Sequence, residues 1–177
     1  MSIVYTSGFS KSDLMEMNAL AFSVYDRRVK LLGLNLTGLE GVDAESLRPS
    51  FEERTVGFQA IEADLRSAVE RFPESIDLHL MLSQILKDQG RFEEAAAHMK
   101  AQSDRHPGNA AWLTAYATAY LNYGTTNEEK LFAHGRFMEL QHEASVLPVP
   151  AEQRDVLLRH GPTSTVILEP EAEPKDP

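Results

Sequence analysis

Glu139 and His142, three residues apart, form the pattern in this sequence that comes closest to a metal site. On a helix this spacing puts both side chains on one face, where a carboxylate and an imidazole can ligate iron or manganese. His134 lies about two turns earlier on the same predicted helix. A di-metal bundle needs a second Glu-x-x-His pair, and the sequence contains none. We therefore expect a solvated helix face here, with no bound metal.

No other constellation favours catalysis. Glu94 and His98, four residues apart, are interpreted as an exposed helical pair. Trp112 shares a helical spacing with Tyr116 and Tyr120, which is more typical of packing than of a ligand platform. Phosphate-loop, nucleophile-elbow and zinc-protease motifs are absent from the sequence. The sequence predicts a protein that is not an enzyme and has no organic cofactor; a small metal-dependent enzyme or accessory subunit that uses Glu139 and His142 is the alternative.

The charge of the chain restricts its partners. The formal net charge is -10, which repels nucleic-acid phosphates and anionic lipid headgroups. No apolar run reaches the roughly 18 residues that a membrane-spanning helix needs, and no secretory signal is visible at the N-terminus. Cysteine is absent, which excludes disulfides and thiolate sites. We expect a cytoplasmic location and a protein partner, with neither nucleic acid nor membrane insertion.

Apolar periodicity and capping residues predict an all-α fold. Ser10 with Asp13 and Ser50 with Glu53 have the spacing of capping boxes. Gly33 and Gly90 are placed to end helices, and a helix is expected to stop before Pro73. The predicted helices cover residues 12–32, 50–72, 77–89, 92–106, 109–123 and 127–144.

The predicted organisation has three parts. Residues 1–49 hold the first helix and a linker that packs on the rest, and residues 50–145 form a helical domain. Residues 146–177 form a largely extended tail that is rich in proline and acidic residues, apart from one short helix near 150–159. At 177 residues the chain is long enough for one independently folding domain.

A spacing of 34 residues recurs through the middle of the chain. It separates three pairs of like residues, which are Phe58 and Phe92, Pro73 and Pro107, and Gly90 and Gly124. A fixed period of this length is typical of stacked helix–turn–helix units, and 34 is the length of the tetratricopeptide unit. Units of this type bury their faces against one another and leave a concave surface for a partner.

Residues 76–109 resemble one complete tetratricopeptide repeat. The first helix of that motif asks for Leu followed by a small residue, and this chain has Leu82 and Ser83. The second helix asks for Ala and an aromatic residue four positions later, and this chain has Ala95 and Met99 there. The preceding unit matches only through its second helix, and the following unit matches through its first. The resemblance implies stacked helix–turn–helix repeats, an α-solenoid, over about half the chain.

In this family the first helix of each unit lines the concave groove. The resemblance therefore implies a partner-binding surface made of eight residues, which are Asp77, Leu80, Gln84, Lys87, Ala111, Thr114, Thr118 and Leu121. Family members that hold acidic C-termini of heat-shock chaperones use Lys, Asn and Arg at such places, whereas this chain has mostly Leu, Gln and Thr. A peptide with apolar side chains suits this set better.

The family resemblance implies an adaptor, an assembly factor or a chaperone. In size, charge and layout the chain is similar to type III secretion chaperones of the translocator class, which are small acidic tetratricopeptide proteins with an N-terminal helix. Self-association is a further expectation, because an array without a polar capping helix leaves an apolar end that can stack on a second copy.

Overall fold

The computed structural model describes residues 8–33 and 48–147, and these residues form α-helices and no strand. The helices are α1 (Lys11–Leu31), α2 (Phe51–Arg71), α3 (Ile76–Asp88), α4 (Phe92–Arg105), α5 (Ala110–Thr118) and α6 (Asn127–Val146). The all-α repeat fold expected from the sequence is confirmed. The predicted linker over 34–47, the short helix near 150–159 and the extended tail lie outside the described residues.

Capping boxes begin three of these helices. In each box a side-chain hydroxyl accepts the N–H of the residue three positions later, whose carboxylate accepts the cap's own N–H. The pairs are Ser10 with Asp13, Ser50 with Glu53, and Thr126 with Glu129. Glu129 lies 34 residues after Ala95, where the repeat motif asks for alanine, and its carboxylate instead caps the start of α6.

Prolines one period apart end the second helices of two units. α2 ends at Arg71 and α4 at Arg105, each followed by a cap residue and then by Pro73 or Pro107. The cap residues leave the helical region, with ψ of 62° and 60°. A proline disfavours helical backbone in the residue before it, so the repeated proline fixes a repeated helix end.

α5 is shorter than the sequence suggested. The capping residues predicted a helix over 109–123, but α5 ends at Thr118. Beyond it, Tyr120 and Leu121 donate backbone hydrogen bonds three residues back, to Ala117 and Thr118, so the chain tightens into successive turns. Asn122 then adopts a left-handed φ of 57°, so the helical backbone does not continue to Gly124.

α1 takes the place of the first helix in the unit that precedes residues 76–109. The repeat pattern of the sequence matches only the second helix of that unit. α1 packs against α2 and also contacts α3, just as α3 packs against α4 and also contacts α5. The described helices therefore form three successive pairs, α1/α2, α3/α4 and α5/α6. The sequence did not reveal the first pair because α1 is joined to α2 through residues 34–47, a connection too long to preserve the 34-residue period.

Two clusters of buried side chains form the core of the described residues. One cluster joins α1, α2 and α3 through large side chains such as Ile61, Leu65 and Leu82. A second cluster joins α4, α5 and α6 and is built largely from small residues. Ala95 belongs to the first cluster and Ala96 to the second, so α4 contributes to both. The absence of bulk at these two positions lets α4 pack closely on both sides.

Two histidines share a hydrogen bond where α3 meets α4. His79 Nδ1 lies 3.0 Å from His98 Nε2, and His79 Nε2 lies 3.0 Å from the carbonyl oxygen of Pro73. Since that carbonyl can only accept, His79 carries its proton on Nε2, and His98 Nε2–H donates to His79 Nδ1. Burial, followed by the neighbouring His98, lowers the pKa of His79 to about 4. The interpretation of His98 as half of an exposed pair with Glu94 was wrong: Glu94 bonds Arg91 and Arg66 instead.

Ala95→Leu should destabilise the protein by about 1–3 kcal/mol, because Ala95 is 0% exposed and a larger side chain overpacks the crossing of α4 with its neighbours. Ala97→Leu, at an exposed position on the same helix, is the matched control and should leave stability nearly unchanged. Urea denaturation of both variants measures the difference. Equal midpoints would contradict the close packing of α4.

Stability should fall as the pH drops from about 6.5 towards 4, because the unfolded state takes up a proton on His79 before the folded state does. The contribution is on the order of 3 kcal/mol and is present in full above pH 6.5. His79→Gln removes the titrating group, so its stability should depend less on pH in this range. His134→Gln, at an exposed histidine, is the matched control for the loss of a histidine side chain. Denaturation at pH 7 and pH 4.5 compares the three proteins; parallel loss in all of them would refute the role of His79.

Candidate partner-binding groove

A groove of about 530 Å³ runs between α1, α3 and the end of α5. α3 supplies Asp77, Leu80, Gln84 and Lys87, which share one face because they follow one another at steps of three and four residues. Beyond the end of α5, the turn brings Leu121 to the same groove, next to Thr118. Six of the eight residues named from the family resemblance therefore line one surface.

Ala111 and Thr114 do not line this groove. Both lie in the first half of α5 and are partly buried. The described contacts explain why: α5 reaches the groove through its C-terminal end, where backbone carbonyls of Thr118 and Leu121 approach Lys87 on α3. Helical spacing predicts which residues share one face of α5, but it does not show which part of the helix lies near the groove. Only the C-terminal end of α5 does so.

The wall formed by α1 was not anticipated from the sequence. Ala21, Val24, Tyr25 and Arg28 line the groove opposite α3. Ala21 and Val24 are buried and hold α1 in place, while Tyr25 projects with 55% of its surface exposed. The three- and four-residue steps of apolar residues in α1 predict its apolar stripe, but they do not show which helix that stripe packs against.

Lys87 was expected to be the single cation of the groove, and its ammonium is already bonded. The Nζ atom donates to the backbone carbonyl oxygens of Thr118 at 3.3 Å and of Leu121 at 2.9 Å. The Thr118 carbonyl also accepts the Leu121 N–H in the turn that follows α5, so Lys87 bonds the chain at the end of that helix. Burial lowers the pKa of Lys87 below its ordinary value. Lys87 thus holds α5 against α3.

Asp88 links the two main walls of the groove. Its carboxylate accepts from Arg28 Nε at 2.5 Å and from Arg28 Nη2 at 3.0 Å, which is a two-pronged pair between α3 and α1. Gln84 Nε2 donates to the same carboxylate at 2.8 Å. The hydrogen bond to Asp88 raises the pKa of Arg28, so this guanidinium stays charged and paired. The charges of Arg28 and Asp88 at the base of the groove are therefore matched within the protein.

The rim of the groove is apolar and accessible. Tyr25 stands on α1, and Leu121, 45% exposed, lies beyond the end of α5. Phe22 precedes Tyr25 by three residues on α1 and is also exposed, so it extends the same side of the helix. An accessible apolar rim over a base of paired charges favours contacts with apolar side chains over recognition of a free charge.

The metal-like pattern lies on α6, which does not line the groove. Glu139 pairs with Arg136 at 2.5 Å, and both Glu139 and His142 are exposed, as is His134. Within residues 8–33 and 48–147, no three histidine, aspartate or glutamate side chains come together in a way that would hold a metal ion. Trp112 is buried, with His106 stacked on it at 4.6 Å, as expected for a packing residue.

Residues 58–119 match the family model described as tetratricopeptide repeat. The matched stretch includes most of α2, all of α3 and α4, and α5. The chain is a tetratricopeptide-like helical repeat protein. Comparison with curated proteins and with solved structures gave no significant match. Tetratricopeptide repeats generally mediate interactions between proteins, and this class of repeat points to an interaction module in place of an enzyme.

None of the helices described is both long and apolar enough to cross a lipid bilayer.

Proposed function

We propose that this tetratricopeptide-like protein is a non-enzymatic adaptor, assembly factor or chaperone that binds a peptide segment of a partner protein in the groove. The observation that carries the proposal is the apolar groove itself, with Leu80 at its wall and Tyr25 and Leu121 at its rim. Three helices build it, and paired charges hold those helices together. Such a preformed surface lowers the ordering cost of binding.

The net charge supports a protein partner. At -10 the chain repels polyanions, so we propose that neither nucleic acid nor an anionic membrane is the partner, and that the protein acts in the cytoplasm. A secretion chaperone of the translocator class is one version of this proposal. Its support is the acidic charge, together with the helix α1 that precedes the matched repeat residues.

Tyr25→Asp and Leu121→Asp should each weaken partner capture from extracts of the source cells at least tenfold, because a charge at the apolar rim must be desolvated on binding. Both residues are exposed, so the fold should tolerate the change. Val56→Asp is the matched control, since Val56 is an exposed apolar residue on α2 outside the groove. Quantitative mass spectrometry of the captured proteins measures the ratio. Equal loss in the control, or no loss in either rim variant, would contradict groove binding.

Self-association through α6 is a second proposal. α6 exposes Leu131, Phe132, Met138 and Val146, with Leu131 exposed by 74%. A side chain at Gly135, between the first and last of these, would meet no atom within 4 Å. Small residues let two helices approach closely, and apolar neighbours on both sides add contact area.

The polar side chains of α6 favour an antiparallel pairing of two copies that cross at Gly135. Glu128 and His142 lie seven residues before and after that glycine, and both are exposed. In an antiparallel pair, Glu128 of one copy therefore lies opposite His142 of the other, twice by symmetry. A ring N–H of the imidazole can donate a hydrogen bond to the carboxylate.

Sedimentation at several protein concentrations should detect dimers, and Phe132→Asp should remove them because it places a charge on the exposed face of α6. Val56→Asp again serves as the control and should sediment like the unaltered protein. A monomer at every concentration would refute this second proposal and leave the groove proposal intact.

A further inference from the structure

We propose that the occupant of the groove is an amphipathic α-helix about three turns long, with uncharged apolar anchors, and not an extended peptide. This inference rests on the groove-binding function proposed above and adds the conformation and chemistry of the partner. It follows from how the polar groups around the groove are used.

An extended occupant would need many hydrogen-bonding partners. The α3 wall runs from Asp77 to Lys87, about 15 Å, which four to five extended residues would span. Each of those residues carries a backbone N–H and a backbone C=O that must find a partner when buried. In a helix that runs the same distance, the backbone groups bond within the helix, except for those at its two ends. The occupant's conformation therefore depends on what the groove offers to a backbone.

Most polar side chains of the groove already have partners within the protein. Arg28 and Gln84 donate to Asp88, Lys87 donates to carbonyls at the end of α5, and the Thr118 hydroxyl donates to the Ala115 carbonyl. Asp77 is likewise engaged in an interaction.

Three further polar side chains offer few hydrogen bonds to an occupant's backbone. The Ser83 hydroxyl has no hydrogen-bond partner in the protein but is shielded from solvent, so an occupant lying on the groove's surface would not reach it. Tyr25 and Asn122, which are exposed, contribute polar groups only at the rim. The groove thus offers few groups that could replace a strand's missing hydrogen bonds.

The walls themselves also disfavour strand addition. An extended peptide can pair with the free edge of a sheet, but the part of the chain that the structure describes contains no strand. α1 and α3 present rows of side chains with a gap between them, into which the anchors of a third helix fit at steps of three and four residues. Since the charges of Arg28 and Asp88 are already matched, a charged anchor would lose its hydration without gaining a partner.

Selection from a displayed library of random peptides about twelve residues long tests this, because that length spans three helical turns. The full chain is the bait, and peptides that also bind Tyr25→Asp or Leu121→Asp are discarded. We expect the remaining peptides to carry apolar residues at positions i, i+3 or i+4, and i+7. Circular dichroism should show that they gain helical structure on binding the full chain.

Two further measurements on the selected peptides sharpen the result. Proline at the centre of a peptide should reduce affinity at least tenfold, because it breaks a helix, while alanine at a position that faces outward should change it little. Affinity should vary less than threefold between low and high salt, since the anchors are uncharged and Arg28 and Asp88 are paired within the protein.

The outcomes separate the two proposals. Peptides that depend on the rim residues but bind in extended form, tolerate a central proline or require an acidic anchor would overturn the helical occupant and leave groove binding standing. If no selected peptide loses binding in the rim variants, the proposed groove function fails, and the helical occupant fails with it.

Discussion

Two adjacent side chains at the end of α3 hold the groove together. Asp88 reaches back to Arg28 on α1, while Lys87 reaches forward to the carbonyls at the end of α5. Each contact joins a first helix to the first helix of a neighbouring pair. Because both charges are partly or wholly shielded from water, removing either partner would leave an unmatched group in a poorly solvated place. The spacing of the three helices that line the groove therefore depends on α3.

Much of the fold could be predicted from local chemistry. Ser50 with Glu53 begins α2, and the residues that precede Pro73 and Pro107 end α2 and α4, since these effects act within a few residues along the chain. The end of α5 could not be predicted in this way. Its tightening after Thr118 coincides with the contacts of Lys87, which lies 31 residues earlier in the chain.

The candidate groove was predictable only in part. The four residues of α3 were placed on one face by their spacing, and they do line one surface. The opposite wall was missed because the pairing of α1 with α3 depends on a connection without periodic signal. The hydrogen bonds of Lys87 could not be predicted for a different reason. The sequence shows that this long, flexible side chain is charged, but not the direction in which it extends. The hydrogen bond between His79 and His98 could not be predicted either, since only the packing of α3 on α4 brings the two rings together.

The two core clusters differ in the side chains that form them. Among the described residues, the cluster of α4, α5 and α6 contains Ala96, Ala115, Ala117, Ala119 and Ala133, whereas that of α1, α2 and α3 is rich in leucine and isoleucine. The second cluster also contains the larger side chains of Met99, Tyr116, Tyr123 and Leu140. In a repeat array each unit contacts only its neighbours, so the position of one helix pair depends on the pair beside it. α5, whose end lines one side of the groove, packs against α4 and α6. The shape of the groove therefore depends in part on α6, a helix that a partner in the groove does not touch.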